Sequence, residues 1–341
     1  MTDKSGRPNT DQSDIYSSEF SSSFNGRSLP ARSSEKDGQI KSSPASKVRK
    51  VQQTVVLLDE EDAQSAHPVE VETSKKWLKD AKIYYPSRSD PEAVELCFSD
   101  MECLDPESFV SSPVMNYYIQ YLQKSKSPSE RPGEDYHFFN TYFYKKLEEA
   151  VSNKGCDKDT LYEKFRRWWK GVNIFDKAYI FLPIHADHHW SLVIISFPAK
   201  EEDLSPVVLH LDSLGFHPSS IIFENIGSFL KEEWKYINQI GHPTSITFSG
   251  RVGKNLSHRV EQKIIPVPQQ RNDYDCGLFV LYFMERFIEE APTRLGRKDL
   301  SMFGGRWFLP EEASGLRKRI RKLLHEQFER SKLQMWSLGI E

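Results

Sequence analysis

Three runs set close together, Tyr179–Ile184 (YIFLPI), Ser191–Phe197 (SLVIISF) and Val207–Leu211 (VVLHL), constrain the fold of this chain more than any other feature. Each is rich in β-branched and aromatic residues and reads as a short strand. Together they predict a small central sheet, mixed or antiparallel. Two further strands are expected at Ala81–Tyr85 and Ala93–Phe98, and another at Lys263–Val267. Amphipathic or aromatic stretches predict helices at Ser112–Leu122, which opens with a serine cap and a proline, and at Phe138–Ala150, Tyr162–Lys170, Ile222–Ile237 and Leu309–Lys332. The sum is an α+β domain, a sheet flanked by helices, with no internal repeat.

The segment Pro268–Phe283, PQQRNDYDCGLFVLYF, carries chemistry. It places Cys276 at a polar turn directly before an apolar helix, with Asp275 as the expected N-cap. A thiolate is the attacking form of cysteine, and amide N–H groups at a helix start favour that anion. Leu278, Phe279, Tyr282, Phe283 and Phe287 recur at helical spacing, so the helix is expected to be buried with its start opening onto a cleft. Gly277 is expected to leave room beside the sulfur.

A nucleophilic cysteine needs an imidazole to hold it as an ion pair and to protonate the leaving group, and a carboxylate or amide to orient the imidazole. If the strand after His189 pairs antiparallel with the strand ending at Asp212, the start of one lies across from the end of the other. That places His189 beside Asp212. An oxyanion also needs donors. The Cys276 backbone N–H and the Gln270 side chain are the expected pair, with Gln269 as the competing choice for the second.

The formal charge of -3 over 341 residues argues against nucleic acid as the main partner. Cys97, Cys103, Cys156 and Cys276 show no paired CxxC spacing, so neither a disulfide framework nor a structural zinc site is expected. His185, Asp187, His188 and His189 are dense enough to raise a metal site. No HExxH spacing supports one; His185 and His188 read instead as loop or rim residues. No apolar run reaches the length of a membrane span, and Met1–Asp14 holds no apolar signal core, so neither a span nor secretion is expected.

Residues 1–74 are rich in serine and charge and poor in large apolar side chains, a composition expected to stay disordered. One island, Thr54–Asp62 (TVVLLDEED), joins Val55, Val56, Leu57 and Leu58 to an acidic run. Such a segment can add as a strand to a partner's sheet edge, and it resembles the SUMO-interacting motif. The alternative is an edge strand docked on this protein's own domain. Lys47, Arg49 and Lys50 form a short basic cluster, readable as a nuclear-localisation signal or as solvated charge.

HHWSLVIISF, LHLDSLG and PQQRNDYDCGLF, in that order, resemble the ubiquitin-like-protein proteases that process and remove SUMO, as do FNTYFYKKL and KGVNIFDKAYIFLPIH. The resemblance covers roughly Trp77 to Leu333 and is closest in wording to the plant members. It implies a rearranged papain-like (adenain-type) catalytic domain over 75–335. It implies Cys276 as nucleophile, His189 as base and acid, Asp212 as orienter and Gln270 as oxyanion donor. Trp190 matches the aromatic that clamps the modifier's diglycine tail. Where the family usually reads Trp-Leu-Asn-Asp, this chain has Phe109, Val110, Ser111 and Ser112, which makes Phe109 the expected second wall.

The implied activity is cysteine-type hydrolysis after the C-terminal diglycine of SUMO, both from lysines and from its precursor. The implied partners are SUMO and its conjugates, with no cofactor, no nucleic acid and no membrane, and the chain acts as a monomer in the nucleus, with the cytoplasm as a second location. Two alternatives are a protease for the related modifier NEDD8 and a catalytically weak SUMO-binding protein.

Overall fold

A computed structural model describes residues 81–125, 136–152, 158–169, 171–197, 205–240 and 260–337. All of them fall within one unit, Gln64–Glu341. The arm, its basic cluster and the Val55–Leu58 island lie outside the described residues.

The strands are β1 (Lys82–Tyr85), β2 (Val94–Cys97), β3 (Tyr136–Phe138), β4 (Tyr179–Ala186), β5 (His189–Ser196), β6 (Val207–Leu211) and β7 (Glu261–Ile265). The α-helices are α1 (Ser112–Ser125), α2 (Phe143–Ser152), α3 (Lys158–Phe165), α4 (Ser219–Ile240), α5 (Cys276–Glu290) and α6 (Pro310–Ser337). β1 and β2 pair antiparallel as a separate ribbon. The main sheet runs β3-β4-β5-β6-β7, with the two outer pairs parallel and the two inner pairs antiparallel. The sheet is therefore mixed, one of the two expected forms.

Side chains alternate across a strand, and here both faces are covered. Tyr179, Phe181, Trp190, Leu192, Ile194, Leu209 and Leu211 join a core with the side chains of α1, α5 and α6. Ile180, Leu182, Ile184, Val193, Ile195 and Val208 join a second core against α2, α3 and α4. Every residue of β5 is buried, which accounts for its near-continuous apolar run. Among the described residues, no helix is long and apolar enough to cross a membrane.

Two expectations need correction. The aromatic stretch from Phe138 is not one helix: Tyr136–Phe138 is a strand paired with Tyr179–Phe181, and α2 starts only at Phe143. Asn140 separates them, its Oδ1 accepting the Tyr142 N–H at 3.0 Å, a side-chain turn of the kind that opens helices. The stretch Tyr162–Lys170 likewise divides, α3 ending at Phe165 and a 3-10 turn running Arg166–Trp169. Glu233 of α4 pins that turn, accepting from Arg166 Nε at 2.8 Å and Trp169 Nε1 at 2.9 Å.

Candidate active site

β4 and β5 are joined by two residues, Asp187 and His188, with φ of 48° and 59°. This left-handed pair is what a two-residue hairpin turn requires, and neither residue is the glycine that adopts it freely. The turn fixes the first residue of β5, His189. Its register carries Leu192 opposite Leu211, so Asp212 leaves β6 beside His189. His189 Nε2 lies 2.7 Å from Asp212 Oδ1. As Asp212 also accepts the backbone N–H of Leu214 and Gly215 on Oδ1 (both 2.9 Å) and of His217 on Oδ2 (3.0 Å), its carboxylate is held by four donors.

Cys276 is 1% exposed at the first turn of α5, with its thiol near enough to His189 to act on the ring's charge. Since Nε2 faces Asp212, Nδ1 is the ring nitrogen left for the sulfur. Burial on its own lowers the His189 pKa, but the interactions with Asp212 and then with Cys276 outweigh it and raise the ring to about 9. Burial raises the Asp212 carboxyl, yet the His189, Leu214 and His217 hydrogen bonds prevail and hold it far below the usual carboxylate range. Geometry and electrostatics thus agree on a protonated imidazole between carboxylate and sulfur, an arrangement suited to acyl transfer through a thioester.

Gln270 is 7% exposed, its Oε1 accepting from Ser213 Oγ at 2.6 Å and its Nε2 donating to the Asn272 carbonyl at 2.6 Å. The amide is therefore oriented, with one N–H still uncommitted by these two bonds. Gln269 instead donates to the Val267 and Asp212 carbonyls at 3.0 and 3.3 Å.

Trp190, next along β5, points to the α5 face. Its Nε1 donates to the Val110 carbonyl at 3.2 Å. A Cβ on Gly277 would sit 3.1 Å from Val110 Cβ and 3.3 Å from Trp190 Cδ1, so the glycine serves a close approach between α5 and the indole. His185 is not a loop residue: it belongs to β4, pairs with Trp190 and stacks on it at 4.2 Å. Trp190 is consequently only 2% exposed. Phe109 is 53% exposed and adjoins this wall through the main chain of Val110.

Asp275 occupies the N-cap position but makes no side-chain cap. Its carboxylate takes Arg317 Nη2 of α6 at 2.8 Å, Asn272 Nδ2 at 2.9 Å and Ser314 Oγ at 2.6 Å. Arg317 Nη1 also reaches the Cys103 and Asp105 carbonyls at 3.0 and 3.1 Å. The capping expectation is thus replaced by a buried ion pair that clamps the cysteine turn to α6. Breaking it leaves a carboxylate without its charge partner. Arg317→Ala is expected to cost about 3–5 kcal/mol, read as a lower denaturation midpoint at unchanged m, and a loss under about 1 kcal/mol would contradict the clamp.

Two neighbours of His189 carried no sequence signal. Phe216, 70% exposed, lies 5.5 Å from its ring, and His217 meets it edge-on at 4.7 Å. Ligand atoms of His189, Asp212 and His217 fall within 4.8 Å of one another, the one such grouping among the described residues. Each already has protein hydrogen-bond partners, Asp212 with His189 and His217 with Ser191 and Ala186, so this donor set does not fit a resident metal.

The sequence matches the Ulp1 protease family, C-terminal catalytic domain, over residues 108–318. Ubiquitin-like-specific protease 1D of Arabidopsis thaliana is 51% identical over 280 residues, 82% of this chain and 48% of its own. Ubiquitin-like-specific protease 1C of the same plant is 45% identical over 306 residues, 89% of this chain and 53% of its own. The chain therefore spans about half the length of these curated relatives. A solved structure described as the crystal structure of the de-sumoylating protease aligns over 76% of this chain and 96% of that one, with a TM-score of 0.54 and 21% identity. That likeness shows the shared fold.

Proposed function

The chain belongs to the Ulp1 protease family, and from that premise we propose that it is a cysteine-type SUMO protease. It hydrolyses the bond after the C-terminal diglycine of SUMO, releasing the modifier from substrate lysines and trimming its precursor. The observation that carries the proposal is the assembly of Cys276 at the start of α5, His189 bonded to Asp212, and Trp190 packed beside Gly277.

In this reading the Cys276 thiolate attacks the carbonyl carbon of the last glycine. The oxyanion is met by the Cys276 backbone N–H and the Gln270 amide, oriented by Ser213 and Asn272. As the carbon–nitrogen bond breaks, His189 gives its proton to the leaving lysine amine. Water then attacks the thioester, His189 takes a proton from it, and the tail leaves as a carboxylate. Asp212 holds the ring throughout, its proton on Nε2 and Nδ1 towards the sulfur. Trp190 and Phe109 flank the tail, where only residues without a Cβ fit a narrow slot. The Val55–Leu58 island adds a second contact for SUMO, and the nucleus is the proposed location, supported by the short basic cluster of Lys47, Arg49 and Lys50.

Linear fusions of SUMO and of NEDD8 to a reporter distinguish the modifiers. The recombinant chain is expected to cleave the SUMO fusion after its diglycine and to act more slowly on the NEDD8 fusion. Preference for NEDD8, or binding of SUMO with no cleavage, would overturn the assignment.

A further inference from the structure

Behind the His189–Asp212 pair lies a second set of polar side chains in the apolar core: Ser191 is 0% exposed, His210 1% and His217 7%. They come from β5, β6 and the turn after Asp212, and Ser219 at the start of α4 completes the set. Buried polar groups persist where each finds a partner, and here the partners fix the direction of every bond.

The fixed point is the Ala186 carbonyl at the end of β4, 3.1 Å from His217 Nε2. A carbonyl oxygen only accepts, so Nε2 bears the proton and Nδ1 of the neutral ring is an acceptor. The Ser191 hydroxyl, 2.6 Å from that Nδ1, donates there. Its single proton is then committed, so Ser191 Oγ accepts from His210 Nε2 at 3.0 Å. His210 Nδ1 is left as an acceptor and takes the Ser219 hydroxyl proton at 2.8 Å. The whole chain, Ser219 to His210 to Ser191 to His217 to Ala186, closes with both imidazoles neutral and no group unsatisfied. Burial lowers the pKa of both rings, which agrees with that state.

We propose that Ser191, His210, His217 and Ser219 are positioning residues: a one-directional hydrogen-bond chain that pins the turn carrying Asp212 and keeps a neutral imidazole against His189. The inference rests on reading Cys276, His189 and Asp212 as the catalytic centre. The link to that centre is double. The His217 backbone N–H donates to Asp212 Oδ2 at 3.0 Å, so anchoring the His217 ring fixes one of the four donors on the carboxylate. The same ring stands 4.7 Å from His189, and a positive charge there would compete with the imidazolium that the reaction needs. Locking His217 with its proton on Nε2 removes that competitor and leaves His189 as the one imidazolium beside Asp212.

The tautomers are read directly by imidazole nitrogen NMR on the unsubstituted 341-residue chain at neutral pH. Two histidines are expected neutral and protonated on Nε2; a charged ring or an Nδ1 proton on either would overturn the chain. That spectrum needs no activity, so it stands apart from the SUMO-fusion assay. Absence of turnover in the wild type would sink the functional reading, and the spectrum would still judge the network. For the kinetic arm, Ser191→Ala strands one nitrogen on each ring, and kcat on a SUMO fusion is expected to fall about tenfold or more at unchanged KM. Ser219→Ala, at the more exposed end, should lower kcat less, and Ser219→Thr, which restores the hydroxyl, should recover what the alanine loses. An unchanged kcat in folded Ser191→Ala, or a loss confined to KM, would reduce the network to packing.

Discussion

Replacing Cys276 by serine is expected to lower turnover of a SUMO fusion by about 10⁴-fold or more while folding and modifier binding persist. The substitution changes one atom in a site that is 1% exposed, so packing is nearly conserved. What changes is the nucleophile. His189 is held protonated up to about 9 by Asp212 and Cys276 against the opposing effect of burial, which prepares an imidazolium for a thiolate. A serine hydroxyl keeps its proton at neutral pH and would need a free base in the same place. Single-turnover cleavage alongside a binding measurement checks this, and a rate within tenfold of wild type would contradict it.

Asp212→Asn is expected to cost on the order of 10³–10⁴-fold in kcat, because the amide cannot meet all the donors aimed at this position. With its oxygen at the Oδ1 site it satisfies Leu214, Gly215 and His189, but its NH₂ then faces the His217 N–H. With the amide turned over, NH₂ faces His189, and the ring must move its proton to Nδ1, against the sulfur. The first orientation loses the charge and the second loses the tautomer. The pH profile separates this from a folding defect. The protonated state of His189 is present below about 9 and lost as pH rises through it, so removing the carboxylate's charge should move the alkaline limb of kcat/KM to lower pH. An alkaline limb that stays in place, with kcat within tenfold of wild type, would contradict the role given to Asp212.

Much of this centre was legible in the sequence because it depends on local rules. The turn-then-helix pattern around Cys276 needs only neighbouring residues, and the meeting of His189 with Asp212 follows from antiparallel pairing of two nearby strands. Side-chain partners far apart in sequence left no such trace. Asp275 looked like a helix cap because the position before an apolar helix favours one; its partner Arg317 lies 42 residues on, in a helix whose many charges gave no reason to single it out. His210, inside an apolar strand, and His217, in a turn, share no sequence spacing that would pair them; Ser191 bridges them only in the fold. The start of α2 is a different case. Asn140 was a start signal in plain view, masked by aromatic residues that suit a strand edge as well as a helix face.

A SUMO derivative ending in a cysteine-reactive electrophile tests the central claim most directly, because it requires the tail slot, the nucleophile and its activation at once. Incubated with the 341-residue chain and examined by mass spectrometry, it is expected to give one covalent adduct on Cys276, absent in Cys276→Ser and slowed in Asp212→Asn. No adduct, or an adduct on Cys97 or Cys103 that persists in Cys276→Ser, would contradict the account.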